Sequence, residues 1–155
     1  MRLWTFQSPD VYQILTKDGQ YTCDFFKSEL YREFKQFAKA YRWMKEQMKD
    51  RDMNPDNVCP VWCWYKWNGR HQRPDLRYSD FKYRNTDEYL LTLEVPDELV
   101  LLSDFDEWHM VLNDYYDDAE HIFNVDKSDY IQACIPKIKT DWVVDVKFCP
   151  ARPEN

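Results

Sequence analysis

Two blocks of side chains in this sequence have the types and spacing to do chemistry. The first joins Trp62, Trp64, Tyr65 and Trp67 to Arg70, His71, Arg73 and Arg77. Aromatic faces stack on bases, and arginine forks hold phosphates or carboxylates through two parallel bonds. Together they suit a nucleotide or nucleic-acid ligand. The same block has a plainer use, in which alternate tryptophans pack a core and the arginines pair with acidic surface groups. The second block lies on a helix expected over Asp104–Asn113. There Asp106, His109 and Asn113 share one face, opposite Phe105, Trp108 and Leu112. A carboxylate and an imidazole one turn apart can work as an acid–base pair, hold a metal, or form an ordinary exposed helix pair.

Within the first block, Arg73-Pro74-Asp75-Leu76-Arg77 forms a stiffened loop in which Asp75 can orient either arginine. It reads either as a substrate clamp or as a structural ion-pair knot. Cys59, Cys63 and His71 are the only local Cys/His grouping, and they lack a standard zinc spacing, so no metal is expected.

These residues need elements to hold them. Arg2–Gln7 reads as a strand, with Leu3 and Thr5 on one face and Trp4 and Phe6 on the other. Ser8-Pro9-Asp10 opens a helix that Gly19 can close. Tyr21–Phe26 reads as extended. A long helix is expected from Ser28 to Lys49, with Glu29 in its first turn. Its apolar stripe is Leu30, Phe34, Phe37, Tyr41, Met44 and Met48, and much of its other surface is basic. Pro60–Trp67, Glu88–Val95 and Leu99–Leu102 read as strands. Ser103 and Asp106 sit at capping-box spacing before the second block's helix, whose apolar face extends to Tyr115. Tyr130–Ile135 and Trp142–Phe148 read as the last strands, with Trp142, Val144, Val146 and Phe148 expected to alternate inward. The sum is a single α+β domain over residues 1–150, with a mixed or antiparallel sheet flanked by helices, and a tail at 151–155.

Composition narrows the function classes. Among 155 residues there are only 2 Gly, so the glycine-rich phosphate loops of Rossmann, P-loop and kinase folds are excluded. Aromatic residues reach 17%, which opposes disorder over most of the chain. The net charge is −7, unevenly spread. Residues 1–77 carry 14 Lys and Arg against 10 Asp and Glu, whereas residues 78–155 carry 7 against 18. That asymmetry fits one basic surface on an acidic protein, or an acidic half that serves solubility. The five cysteines, the absence of a secretory leader and the lack of a membrane-length apolar run imply free thiols in the cytoplasm and no membrane partner.

The order of local motifs then resembles a known family. The motifs are Leu3-Trp4-Thr5-Phe6-Gln7, Tyr41-Arg42-Trp43-Met44, Pro60-Val61-Trp62-Cys63-Trp64-Tyr65 and Arg73-Pro74-Asp75-Leu76-Arg77. They continue as Val95-Pro96-Asp97, Leu101-Leu102-Ser103-Asp104-Phe105-Asp106, Trp108-His109, Leu112-Asn113 and Ile131-Gln132-Ala133. The set resembles the bacterial and phage family catalogued as domain of unknown function 3841. The resemblance implies one complete domain of that family and carries no assigned activity. A fainter resemblance links Leu3–Gly19 and Tyr130–Phe148 to the opening and ending of ADP-ribosyltransferases. It departs where that family places its catalytic glutamate, because Cys134 stands there, and Arg2 is the only cation near the position of the family's His or Arg.

Two functions follow as expectations. One is a domain that binds or acts on a nucleotide, NAD or another, or a nucleic acid. Trp62, Trp64, Tyr65, Arg70, Arg73, Asp75, Arg77 and Asn113 would bind, and Asp106 and His109 would exchange protons. The other is a non-catalytic domain that binds a protein partner, as a regulator or inhibitor, with an acidic face that mimics phosphates.

Overall fold

The computed structural model describes residues 1–24 and 35–155. The first strand, β1 (Arg2–Gln7), leads into α1 (Pro9–Asp18). The Ser8 side chain accepts from the Val11 N–H at 3.2 Å, and Pro9 starts the first turn. Gly19 closes the helix at φ 78°, its N–H bonded to the Leu15 carbonyl at 2.9 Å. Nothing lies within 4 Å of where a Cβ would sit at Gly19. Gly19→Ala should therefore cost about 1 kcal/mol from backbone strain alone. Urea denaturation checks this, and a loss above about 2 kcal/mol would mean a steric role instead.

A two-residue strand, β2 (Gln20–Tyr21), follows, then α2 (Ala38–Asp50), β3 (Val61–Lys66), the short α3 (Ser79–Lys82) and β4 (Glu88–Glu94). The second half contains β5 (Leu101–Asp104), α4 (Phe105–Leu112), β6 (Ile131–Ile135), β7 (Ile138–Lys139) and β8 (Val143–Cys149). Six strands form one sheet in the order β5-β6-β3-β1-β4-β8, and every neighbouring pair is antiparallel. β2 and β7 pair separately as a small ribbon.

The strand alternation sorts the core into two layers. Leu3, Cys63, Leu91, Leu93, Ala133 and Ile135 lie on one face, closed by Leu15 of α1, Ile138 and Trp142. On the other face, Cys134 and Leu101 pack under Met44 and Met48 of α2, Trp108 of α4 and Ile122. Further along that face, Trp4, Trp64 and Leu90 pack with Phe6, Phe81 and Phe105. The α+β antiparallel architecture and the Leu3/Trp4 alternation match the expectation.

Three expectations need revision, and a fourth lies partly outside the described residues. Ser28, Glu29, Leu30 and Phe34 of the expected long helix, and Phe25 and Phe26, fall outside the described residues. The helix that is described begins at Ala38, and its Met44 and Met48 are fully buried as the stripe requires. The cap of α4 is Asp104 rather than Ser103. Asp104 accepts from the Glu107 N–H at 2.9 Å, while Ser103 is buried inside β5. Tyr115, expected on the helix's apolar face, lies beyond α4 and is 70% exposed.

Finally, β8 turns Val146 and Phe148 to the face of Leu91 and Tyr89, as expected, but that end of the layer is not covered. Trp142 is buried in the turn before the strand, but Val144, Val146 and Phe148 are 51%, 38% and 51% exposed. Sheet order is the reason. β8 lies at the edge, where Tyr89, itself stacked on Tyr12 of α1, leans on Phe148. A register shift between Thr92 and Leu93 further displaces Val144 from regular pairing.

The cysteines bear on chemistry. Cys59, Cys63, Cys134 and Cys149 are buried and Cys23 is partly so, and all five are free thiols. Burial pushes Cys63 up to about 12, and burial raises Cys134 and Cys23 as well. A thiol held neutral is a poor nucleophile. An aromatic disulfide reagent at pH 8 should therefore label at most Cys23 quickly in the native protein, and all five after denaturation. Two or more fast native thiols would contradict this packing.

Candidate functional site

The β-register assembles an open cleft from residues far apart in sequence. Arg2, Trp4, Leu90, Thr92, Asp145 and Lys147 lie on the same face of three adjacent strands, because Trp4 pairs with Thr92, Thr92 with Asp145 and Leu90 with Lys147. The loop after β3 rises beside them. It contributes Trp67, His71, Arg73 and Asp75–Arg77 to a cavity of about 880 Å³ that also reaches Arg2 and Trp4. An adjoining cavity of about 520 Å³ shares Arg2, Trp4 and Arg73 and extends to Lys147 at the sheet edge. The two join into one trough where Trp4, itself 9% exposed, lines both.

The charges in this trough are arranged unequally. Arg77 is tied to Asp75 by two guanidinium bonds, at 3.0 and 2.9 Å, and its backbone N–H donates to the same carboxylate at 2.9 Å. Those bonds hold Asp75 at about 2, below the ordinary 3.8. The contact is complete above the ordinary carboxylate value and is lost only as pH falls through about 2. Asp75 and Arg77 are thus tied to each other, although the Arg77 side chain is 91% exposed. Arg2 Nε is bonded to Glu94 at 2.7 Å. Arg73 and Lys147 have no side-chain hydrogen bond or ion pair among the described residues. Asp145 is the carboxylate that opposes them on the trough wall.

His71 is held at the rim. Its Nε2 lies 2.8 Å from the Arg2 carbonyl, which requires a proton on that nitrogen, and its ring packs 4.3 Å from Tyr65 and 5.4 Å from Trp4.

The other expected residues disperse. Trp62 leans on Trp108, 4.8 Å away, within the layer under α2 and α4. Trp64 is buried opposite Trp4. Tyr65 packs against the Leu3 and Leu91 layer, on the opposite side of the sheet from Trp64. Arg70 is exposed and lines neither cavity of the trough. His109 Nδ1 donates to the Phe105 carbonyl at 2.8 Å, and Asn113 Nδ2 donates to the His109 carbonyl at 2.7 Å. Asn113 lines a separate hollow between α2 and α4. No hydrogen bond or ion pair joins Asp106 to His109 among the described residues. Cys134 is wholly enclosed under α2 and α4, so no carboxylate reaches the surface at that position. Sequence reasoning missed Trp4, Arg2 and Lys147. Alternation places Arg2 and Trp4 on one face of β1, but only strand order brings them beside the 67–77 loop.

Asp104 anchors this side of the fold. Besides capping α4, its second oxygen accepts from Ser128 Oγ at 2.5 Å, which pins the segment before β6. Asp104→Ala removes both bonds and should cost about 1–2 kcal/mol. Ser128→Ala should cost less, and chemical denaturation of the two variants separates the cap from the clamp.

No helix among the described residues is long and apolar enough to cross a membrane. No group of three or more His, Cys, Asp or Glu able to hold a metal occurs among them.

What the chain builds is an α+β domain on a six-stranded antiparallel sheet, with an open basic and aromatic trough across one face. Its sequence matches the family model described as Domain of unknown function (DUF3841) over residues 2–122, and the chain belongs to that family. β6 lies beyond the matched residues, yet it is the strand that joins β5 to β3. No curated protein and no solved structure matches the chain.

Proposed function

We propose that the trough binds an anionic ligand carrying a planar ring, of which a nucleotide such as NAD is the simplest class. The observation that carries this reading is Arg73. Its guanidinium makes no ion pair or side-chain hydrogen bond among the described residues, and it lines both cavities beside Trp4. Asp75 and Asp145 act on it only at longer range, while its neighbours Arg2 and Arg77 are each tied to a carboxylate. Arg73 and Lys147 would hold phosphates, and Trp4, Trp67 and His71 would contact the ring. The role is binding, and Asp106 and His109 carry no step in it. Five free thiols suit a reducing, cytosolic setting. Calorimetry and thermal denaturation with NAD, ADP-ribose, nucleoside phosphates and short oligonucleotides test the reading. Saturable binding that weakens with salt is expected. No binding of any of them at millimolar concentration overturns it.

A second reading, a protein-interaction domain, is supported by the exposed edge of β8. In an antiparallel pairing of two copies centred on Val146, Asp145 of one strand lies opposite the partner's Lys147. Sedimentation over a wide concentration range should then show a dimer that Val146→Lys abolishes. A monomer at every concentration removes this reading.

A further inference from the structure

Trp67 is shared between the trough and a second, smaller hollow of about 220 Å³. The walls of this hollow are rings. Trp64 and Trp67 come from β3 and its end, Tyr78 and Phe81 from the turn into α3, Phe105 from the start of α4, and Tyr130 from the residue before β6. The Trp67 plane stands at 79° to Trp64, 81° to Phe81 and 80° to Tyr130, with centroids 5.0–5.4 Å apart. These edge-to-face contacts lock Trp67 against three of the other rings that line the hollow. Two carboxylates, Asp80 and Asp106, complete the lining. Both are exposed, and neither has an ion pair or a side-chain hydrogen bond among the described residues. Among the described residues, the cations that lie over rings cover Phe123, Tyr83 and Trp142, none of which lines this hollow.

Electron-rich faces and carboxylates in one concavity select for positive charge. They also select its kind. A primary ammonium is compact and strongly hydrated, and it forgoes hydrogen bonds to water when it lies among rings. An ammonium whose hydrogens are replaced by methyl groups has none to forgo, and it presents an apolar, positively charged surface that matches the ring faces. A trimethylammonium head fits within the volume. The protein's net charge of −7 also favours the approach of cations. We propose that this hollow is a binding site for a fully methylated ammonium group, held by the rings and offset by Asp80 and Asp106. The site is separate in ligand and charge from the trough, and it stands whether or not the trough binds a nucleotide.

Choline and a trimethyl-lysine peptide carry the same head from two sources. Titration of each into the whole protein, followed by tryptophan fluorescence and calorimetry, is expected to show saturable binding of at least one. The tighter of the two identifies the source. The neutral tert-butyl analogue of choline should bind at least ~10-fold more weakly, since it keeps the shape and loses the charge. Asp80→Asn combined with Asp106→Asn changes two exposed side chains and should leave the fold intact. It should weaken the ammonium ligands several-fold and leave the neutral analogue unchanged. The proposal is overturned if neither ammonium ligand binds saturably, if the neutral analogue binds equally well, or if the double variant binds as the parent does.

Discussion

Leu91→Ala is expected to destabilise the protein by about 2–5 kcal/mol, the range for truncating a fully buried leucine. Leu91 is 0% exposed at the middle of β4, with Thr5 of β1 on one side and Val146 of β8 on the other. It packs in the layer that α1 closes through Leu15. Removing three carbons there leaves a cavity that strands paired on both sides cannot readily collapse around. A domain of this size is stable by about 5–15 kcal/mol, so the loss is a large fraction of the whole. Val146 is the control. It sits in direct register with Leu91 but on the edge strand, so Val146→Thr should change stability by no more than about 0.5 kcal/mol. Equilibrium urea denaturation of both variants measures the contrast. Equal costs at the two positions would show that the β8 end of this layer is covered after all.

Arg73→Ala should lower affinity for the nucleotide that binds best by about 10- to 100-fold. A charge-assisted bond to phosphate contributes about 1.5–3 kcal/mol, and each 1.4 kcal/mol is tenfold. The substitution frees no buried carboxylate, because Arg73 has no ion pair or side-chain hydrogen bond among the described residues, so stability should be nearly unchanged. Arg70→Ala removes an equally exposed cation that does not line the trough. Affinity should change less than twofold in that variant. Calorimetry at two salt concentrations reads both. If the two variants weaken binding alike, the effect is the general field of the surface and not a site built around Arg73.

The trough was partly legible in the sequence. Arg73, Asp75 and Arg77 lie close together in the chain, so a loop carrying two arginines and a carboxylate able to pair with either could be read directly. Proximity along the chain did not say which arginine Asp75 would take. The backbone turn decides that, by aiming the Arg77 N–H and guanidinium at one carboxylate. The tryptophans of β3 were harder. Trp62 and Trp64 alternate as a strand should, but alternation defines only a shared face. α2 and α4 cover the Trp62 end, and the 76–81 segment covers the Trp64 end. The tryptophan that lines both cavities is instead Trp4, about sixty positions earlier in the chain. Asp106 and His109 share a helix face as the spacing requires. His109 nevertheless turns its Nδ1 back to the Phe105 carbonyl, so a common face did not become a pair.

By itself the sequence determined the local elements and the family. Period-two and period-3.6 patterning, Ser8-Pro9, Gly19 and the ordered motifs are properties of short stretches of chain, and short stretches suffice to read them. Tertiary structure alone decided which faces are covered and which cations are free. The order β5-β6-β3-β1-β4-β8 is set by contacts among residues far apart in sequence. That order places β8 at the open edge and Trp4 beside the 67–77 loop, where Arg73 forms no ion pair among the described residues. Burial and charge pairing are relations between distant segments, and no local pattern contains them.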